Sequence, residues 1–222
     1  IRLCLVGSEM CIRDRLMGEV YDFFLSSYSN HSRIDIVLEF LAFWFGIISV
    51  VFAKKQNILV YPTGIICTII TMYLMYKVSL LGHILVNLLY TIISFFGWWN
   101  WSRRENNDLV VKVSKFTSKD LSKSLLIFFF IVFVAYLAHD FFATNFEGQI
   151  KELDILTSGI FVTAMWLMAN KKLENWILWI IGNVITIPLY LSSDKIILSI
   201  QYVIFTILAI QAYIEWKKSL SK

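Results

Sequence analysis

Seven apolar stretches divide the chain, at residues 34–52, 58–76, 80–101, 124–142, 153–169, 176–192 and 196–216. Each approaches the ~20 residues that a helix needs to cross the hydrocarbon core of a bilayer. The pattern predicts an all-α polytopic membrane protein with seven transmembrane helices. Ahead of them, Val20, Tyr21, Phe24, Leu25 and Tyr28 share one helical face. Residues 16–33 are therefore expected to form an amphipathic segment on the membrane surface.

The polar gaps alternate in charge. Lys54 and Lys55 follow the first stretch. Arg103, Arg104, Lys112, Lys115, Lys119 and Lys123 follow the third, Lys171 and Lys172 the fifth, and Lys217, Lys218 and Lys222 the seventh. The opposite gaps hold Arg33, Lys77, Lys151 and Lys195, and collect Asp140, Glu147, Glu152, Asp154 and Asp194. Basic residues accumulate on the cytoplasmic side of membrane proteins, so the amino terminus is expected outside and the carboxyl terminus in the cytoplasm.

The basic loop 102–123 separates two triplets of stretches, 34–101 and 153–216, with 124–142 as a linking helix and 217–222 as a cytoplasmic tail. Lys54–Gly64 matches Lys171–Gly182 with one residue inserted. That register sets Asn57 on Asn175, Tyr61 on Trp179 and Gly64 on Gly182. Further along, Thr91 falls on Thr206, Trp98 on Tyr213 and Trp101 on Trp216. A single linking helix keeps both triplets in one orientation, which predicts two parallel three-helix repeats.

Residues 174–190 carry the densest polar chemistry inside an apolar stretch: Trp176, Trp179, Asn183 and Thr186, with Pro188 and Tyr190 beyond. Spacings of three, four and three place the first four on one helical face. Lipid solvates amides and hydroxyls poorly, so this face is expected to line a protein or water-filled interior. Two indoles beside two hydrogen-bonding groups read as an aromatic-walled site for a small molecule. A plain helix-packing stripe, with Trp at the interface belt, is the competing reading.

Composition agrees with the pattern: 58% of residues are hydrophobic and only 16% charged, with mean hydropathy +0.69, against about a quarter charged in soluble domains. The formal charge of +4 lies in clusters between spans and implies no nucleic-acid partner. Cys4, Cys11 and Cys67 show no paired or metal-ligand spacing, and His31, His83 and His139 are scattered, so no metal site is expected. Residues 5–15 read L-V-G-S-E-M-C-I-R-D-R and resemble a translated sequencing-library adapter. Residues 1–15 are accordingly expected to be foreign, with the natural start near Met17.

Trp176-x-x-Trp179 followed by Pro188 and Tyr190 resembles the W-x-x-W…P motif of the PnuC vitamin transporters. Y-P-T-G at 61–64 and G-W-W-N-W at 97–101 are also similar to that family. The resemblance covers about residues 34–218. It implies a three-plus-one-plus-three fold like that of SWEET transporters, often a homotrimer, in the bacterial cytoplasmic (inner) membrane. It further implies import of nicotinamide riboside by facilitated diffusion, with a separate cytoplasmic kinase trapping the substrate and no cofactor.

Such a substrate is a flat pyridinium cation joined to a ribose. A cation over a Trp face gains about 0.5–2 kcal/mol, which nominates Trp176, Trp179 and Tyr61, with Tyr61 facing Trp179 across the pseudo-twofold. Asn183, Gln201 and Asn87 are the mid-span amides suited to ribose and carboxamide, with Tyr190 and Thr186 beside them. Trp98, Trp99 and Trp101 are assigned to the interface belt, Pro62 and Pro188 to bends, and Glu215 to solvent. His83 and the His139-Asp140 pair are expected at interfaces, since no chain of ionisable groups continues inward. Thiamine, another flat cation, is the rival substrate. A membrane structural or assembly subunit is the rival class. An enzyme is not expected, because the spans hold no nucleophile-base or paired-carboxylate arrangement.

Overall fold

The computed structural model describes residues 32–77, 81–105, 108–141, 148–191 and 196–220. The expected foreign and amphipathic segments at 1–31 fall outside the described residues, as do the side chains of His83 and His139. Among the described residues the chain forms seven helices: α1 (Arg33–Lys54), α2 (Val60–Lys77), α3 (Leu81–Ser102), α4 (Ser118–Phe141), α5 (Gly148–Ala169), α6 (Asn175–Leu191) and α7 (Ile196–Ser219). Arg33–Lys54, Ser118–Ala138, Lys151–Ala169 and Leu198–Ser219 are each long and apolar enough to cross a membrane by length and composition, and α6 is a shorter apolar helix. The chain is an all-α polytopic membrane protein, with α4 linking two three-helix repeats. The basic loop departs from pure coil by one two-residue strand pair, β1 (Arg104–Glu105) with β2 (Asp108–Leu109), antiparallel.

Local chemistry sets the helix ends. Ser32 and Asp35 form a reciprocal cap at the start of α1: the Ser32 hydroxyl donates to the Asp35 carboxylate at 2.7 Å and accepts the Asp35 N–H. Thr117 and Asp120 repeat the device ahead of α4. Each satisfies N-terminal donors that the helix itself leaves unpaired. The C-terminal ends of α1 and α5 match as well. Gln56 and Lys171 both take left-handed φ, 54° and 49°. Gln56 donates to the Ala53 carbonyl and Asn57 to that of Phe52, while Lys171 donates to Met168 and Lys172 to Leu167. This is the paired hydrogen-bond signature of a left-handed helix stop.

That match corrects the expected register. Gln56 falls on Lys171 with no insertion, and the same offset sets Tyr61 on Trp176, Thr71 on Thr186, Thr91 on Thr206 and Trp101 on Trp216. Hydrogen bonds repeat at this offset: Thr71 to the Cys67 carbonyl as Thr186 to Gly182, and Thr91 to Asn87 as Thr206 to Tyr202. Gly64, not Tyr61, is therefore the counterpart of Trp179. The Lys-Lys pairs align by letter but not by backbone, because the helix stop comes two residues later relative to the pair in α1 than in α5.

The compact unit spans Glu39–Lys222. Within it, the first helix of each triplet packs against the second helix of its own triplet and the third of the other. Ser49 and Cys67 join α1 to α2, while the Trp216 indole joins α7 to the end of α1. In the second triplet α5 packs against α6, and the Trp101 indole joins α3 to the end of α5. α4 lies mainly against α5 and exposes Leu126, Phe129, Phe130 and Phe133, an apolar face that a bilayer solvates.

Candidate functional site

The predicted stripe on α6 faces inward. Asn175, Trp176, Gly182, Asn183 and Thr186 are buried, and Trp179 is half-buried among core residues. Its aromatic members separate into two layers. In the first, Trp179 stacks on Phe161 of α5 at 5.4 Å between ring centroids, and Phe161 stacks on Tyr202 of α7 at 6.0 Å. Tyr202 in turn meets Tyr190 at 5.3 Å and Phe205 at 6.0 Å. Gly182 makes this possible, because a Cβ there would overlap the Phe161 ring.

The second layer lies toward the Lys-Lys turns and is closed. Tyr61 packs edge-on against Trp101 at 5.2 Å, and Trp176 packs edge-on against Trp216 at 5.4 Å. Trp101 and Trp216 meet at 6.0 Å. All four rings are buried. Gly97 admits Tyr61, whose ring would otherwise overlap a Cβ at that position. The Trp101 indole donates to the Ala169 carbonyl at 3.1 Å, joined there by the Asn100 amide. The Trp216 indole donates to the carbonyls of Ala53 and Lys54. Trp101 is thus no belt residue, whereas Trp98 and Trp99 are exposed. Lys171 lies over the Trp101 ring at 4.5 Å and is 2% exposed; burial holds its ammonium below the usual lysine range.

Four predicted site residues carry buried polar atoms without a hydrogen-bond partner: Tyr61 Oη, Trp176 Nε1, Trp179 Nε1 and Asn183 Oδ1. Leaving such a group unpaired costs about 1–3 kcal/mol, so these atoms mark surfaces that a polar guest would stabilise. The Thr186 hydroxyl is already committed to the Gly182 carbonyl. The Gln201 amide, from α7, lies beside Gly46 of α1, where a Cβ would stand 3.3 Å from its Nε2. Asn87 sits half-buried on α3, its carbonyl accepting from Thr91. No group of His, Cys, Asp and Glu among the described residues could hold a metal ion.

The structure therefore brings Trp179, Tyr190 and Asn183 to one side of α6, reaches toward α1 through Gln201, and assigns Trp176 and Tyr61 to the closed layer. Sequence reasoning misses Phe161, Tyr202, Trp101 and Trp216. It also misses the Lys54–Glu215 ion pair at 3.2 Å, made by a Glu215 side chain that stays in solvent as expected, 47% exposed. Pro62 lies in the first turn of α2, where no intrahelical N–H is lost. Pro188 lies inside α6.

Comparison with known proteins agrees with this architecture. The chain is 26% identical over 187 residues to the nicotinamide riboside transporter PnuC of Neisseria mucosa, covering 78% of this chain and 69% of that protein. It is 24% identical over 198 residues to PnuC of Escherichia coli K12, covering 78% and 82%. The fold matches the crystal structure of the vitamin B3 transporter PnuC with a TM-score of 0.65 at 23% identity, over 91% of this chain and 89% of that one. Residues 36–218 match the family described as nicotinamide mononucleotide transporter, and the chain belongs to that family.

Proposed function

We propose that the protein carries nicotinamide riboside across a bacterial cytoplasmic membrane, by facilitated diffusion and with the Lys-Lys turns in the cytoplasm. The observation that carries this reading is the Trp179–Phe161 stack beside the unpartnered Asn183 amide oxygen. A flat pyridinium cation is held by ring faces, and its carboxamide is completed by a neutral amide. Trp179, Asn183 and Tyr190 form the binding wall, and Gln201 and Asn87 serve the ribose. Tyr61 and Trp176 close the cytoplasmic side until the two triplets rock.

The substrates named for the relatives and for the family differ by one phosphate, and charge favours the riboside. Between the turns, residues 39–53, 60–76, 84–102, 155–169, 175–191 and 198–216 contain no Lys or Arg. A phosphate dianion would cross these spans without a counter-charge, at a large desolvation penalty. Uptake into liposomes without an ion gradient tests the proposal. Riboside should equilibrate and not accumulate beyond the outside concentration, and the mononucleotide should not enter. Thiamine uptake without riboside uptake overturns the substrate, and uptake that requires a gradient overturns the mechanism.

A further inference from the structure

Resting on that reading, we infer that Asp154 makes the outer, tyrosine-lined end of the binding wall a cation station, ahead of the Trp179 stack. Asp154 is the seventh residue of α5, at the end of the unit away from the Lys-Lys turns, and is half-buried. Helical periodicity places it on the face of Phe161, seven residues on. Tyr202 of α7 stacks on that same Phe161, and Tyr190 of α6 packs against Tyr202; Tyr90 of α3 senses the same carboxylate. Tyr190 and Tyr202 share a hydrogen bond, with ring centroids 5.3 Å apart.

The rings continue inward without a break. Tyr202 stacks on Phe161, and Phe161 on Trp179. An acid at the outer end of an aromatic series is the arrangement that draws a flat cation inward and passes it from face to face. Ring faces favour a cation only at contact; the carboxylate extends the preference for positive charge beyond contact distance. Asp154 thus sets selectivity for cations over their neutral analogues, while Trp179 and Asn183 set the fit of the ring.

The test uses the purified full chain and Asp154→Asn, which keeps shape and removes charge. Binding is measured by calorimetry for the cationic riboside and for its neutral dihydro form. The cation should bind roughly tenfold more weakly to the variant, the size expected for one unit charge acting at about 10 Å through a dielectric near 20. The neutral form should bind both proteins alike. Equal loss for both ligands overturns the inference in favour of a packing role, and no loss for either overturns it outright. Failure of the wild-type protein to bind riboside refutes the substrate reading alone. The same comparison with 1-methylnicotinamide, a cation, and neutral nicotinamide then decides the role of Asp154.

Discussion

The two triplets share a backbone plan and differ in what hangs from it. Where the second has Phe161, Trp179, Tyr190 and Tyr202, the first has Gly46, Gly64, Met75 and Asn87 at the same offset. The closing layer shows the opposite. Tyr61 with Trp101 repeats Trp176 with Trp216, both edge-on, at 86° and 88°. The difference separates two tasks. A closure between rocking halves works from both sides and keeps its matched rings. A site for an asymmetric ligand needs one wall that grips and one that leaves room.

This asymmetry can be broken most severely at Phe161. Phe161→Ala removes the ring against which Trp179 and Tyr202 stack, a loss of about 3–5 kcal/mol in packed interiors. Riboside binding by calorimetry should disappear. At the counterpart, Gly46→Ala adds a methyl that crowds the Gln201 amide at 3.3 Å and the Phe205 ring at 3.4 Å, and binding should weaken but persist. Equal damage at both positions would contradict the division of tasks.

Trp179→Ala should be milder, weakening riboside binding up to about 30-fold, the equivalent of the ~2 kcal/mol of a desolvated cation–ring contact. Gly64→Ala, its counterpart, meets only the Ser49 hydroxyl at 3.3 Å and should leave affinity unchanged. The smallest effects are expected in the closing layer. Trp101→Phe and Trp216→Phe each delete an indole donor to a helix-end carbonyl, worth about 0.5–1.5 kcal/mol. The unfolding temperature in detergent should fall for both, and further for Trp216→Phe, because the Ala169 carbonyl keeps the Asn100 amide while the Ala53 and Lys54 carbonyls lose their side-chain donor; a drop confined to Trp101→Phe would contradict the paired closure.

The sequence carries the helices, the triplets and the inward stripe of α6, because spacing on a helix survives whatever the neighbours are. Register is harder. The Lys-Lys pairs attract alignment by identity, whereas the structural match is between the left-handed residues Gln56 and Lys171, which share no side-chain chemistry. Phe161 and Tyr202 are illegible for another reason: in an apolar span, an aromatic turned to lipid and one turned to a ligand look alike. Trp101 sits at belt depth, and depth alone does not tell whether a ring faces headgroups or the carbonyl of Ala169. The Lys54–Glu215 pair joins residues too distant in sequence for charge spacing to reveal.

The crossed indole bonds also govern the order in which the protein can be completed. Synthesis delivers α1 before α7, yet the N–H that binds the Ala53 and Lys54 carbonyls belongs to Trp216, near the end of α7. The Ala169 carbonyl, by contrast, meets an indole made well before it, on Trp101. The amino-terminal triplet therefore enters the bilayer with one helix end unfinished and stays so until the carboxyl-terminal triplet arrives. A ribosome that stops short of Trp216 leaves the end of α1 without its indole donor.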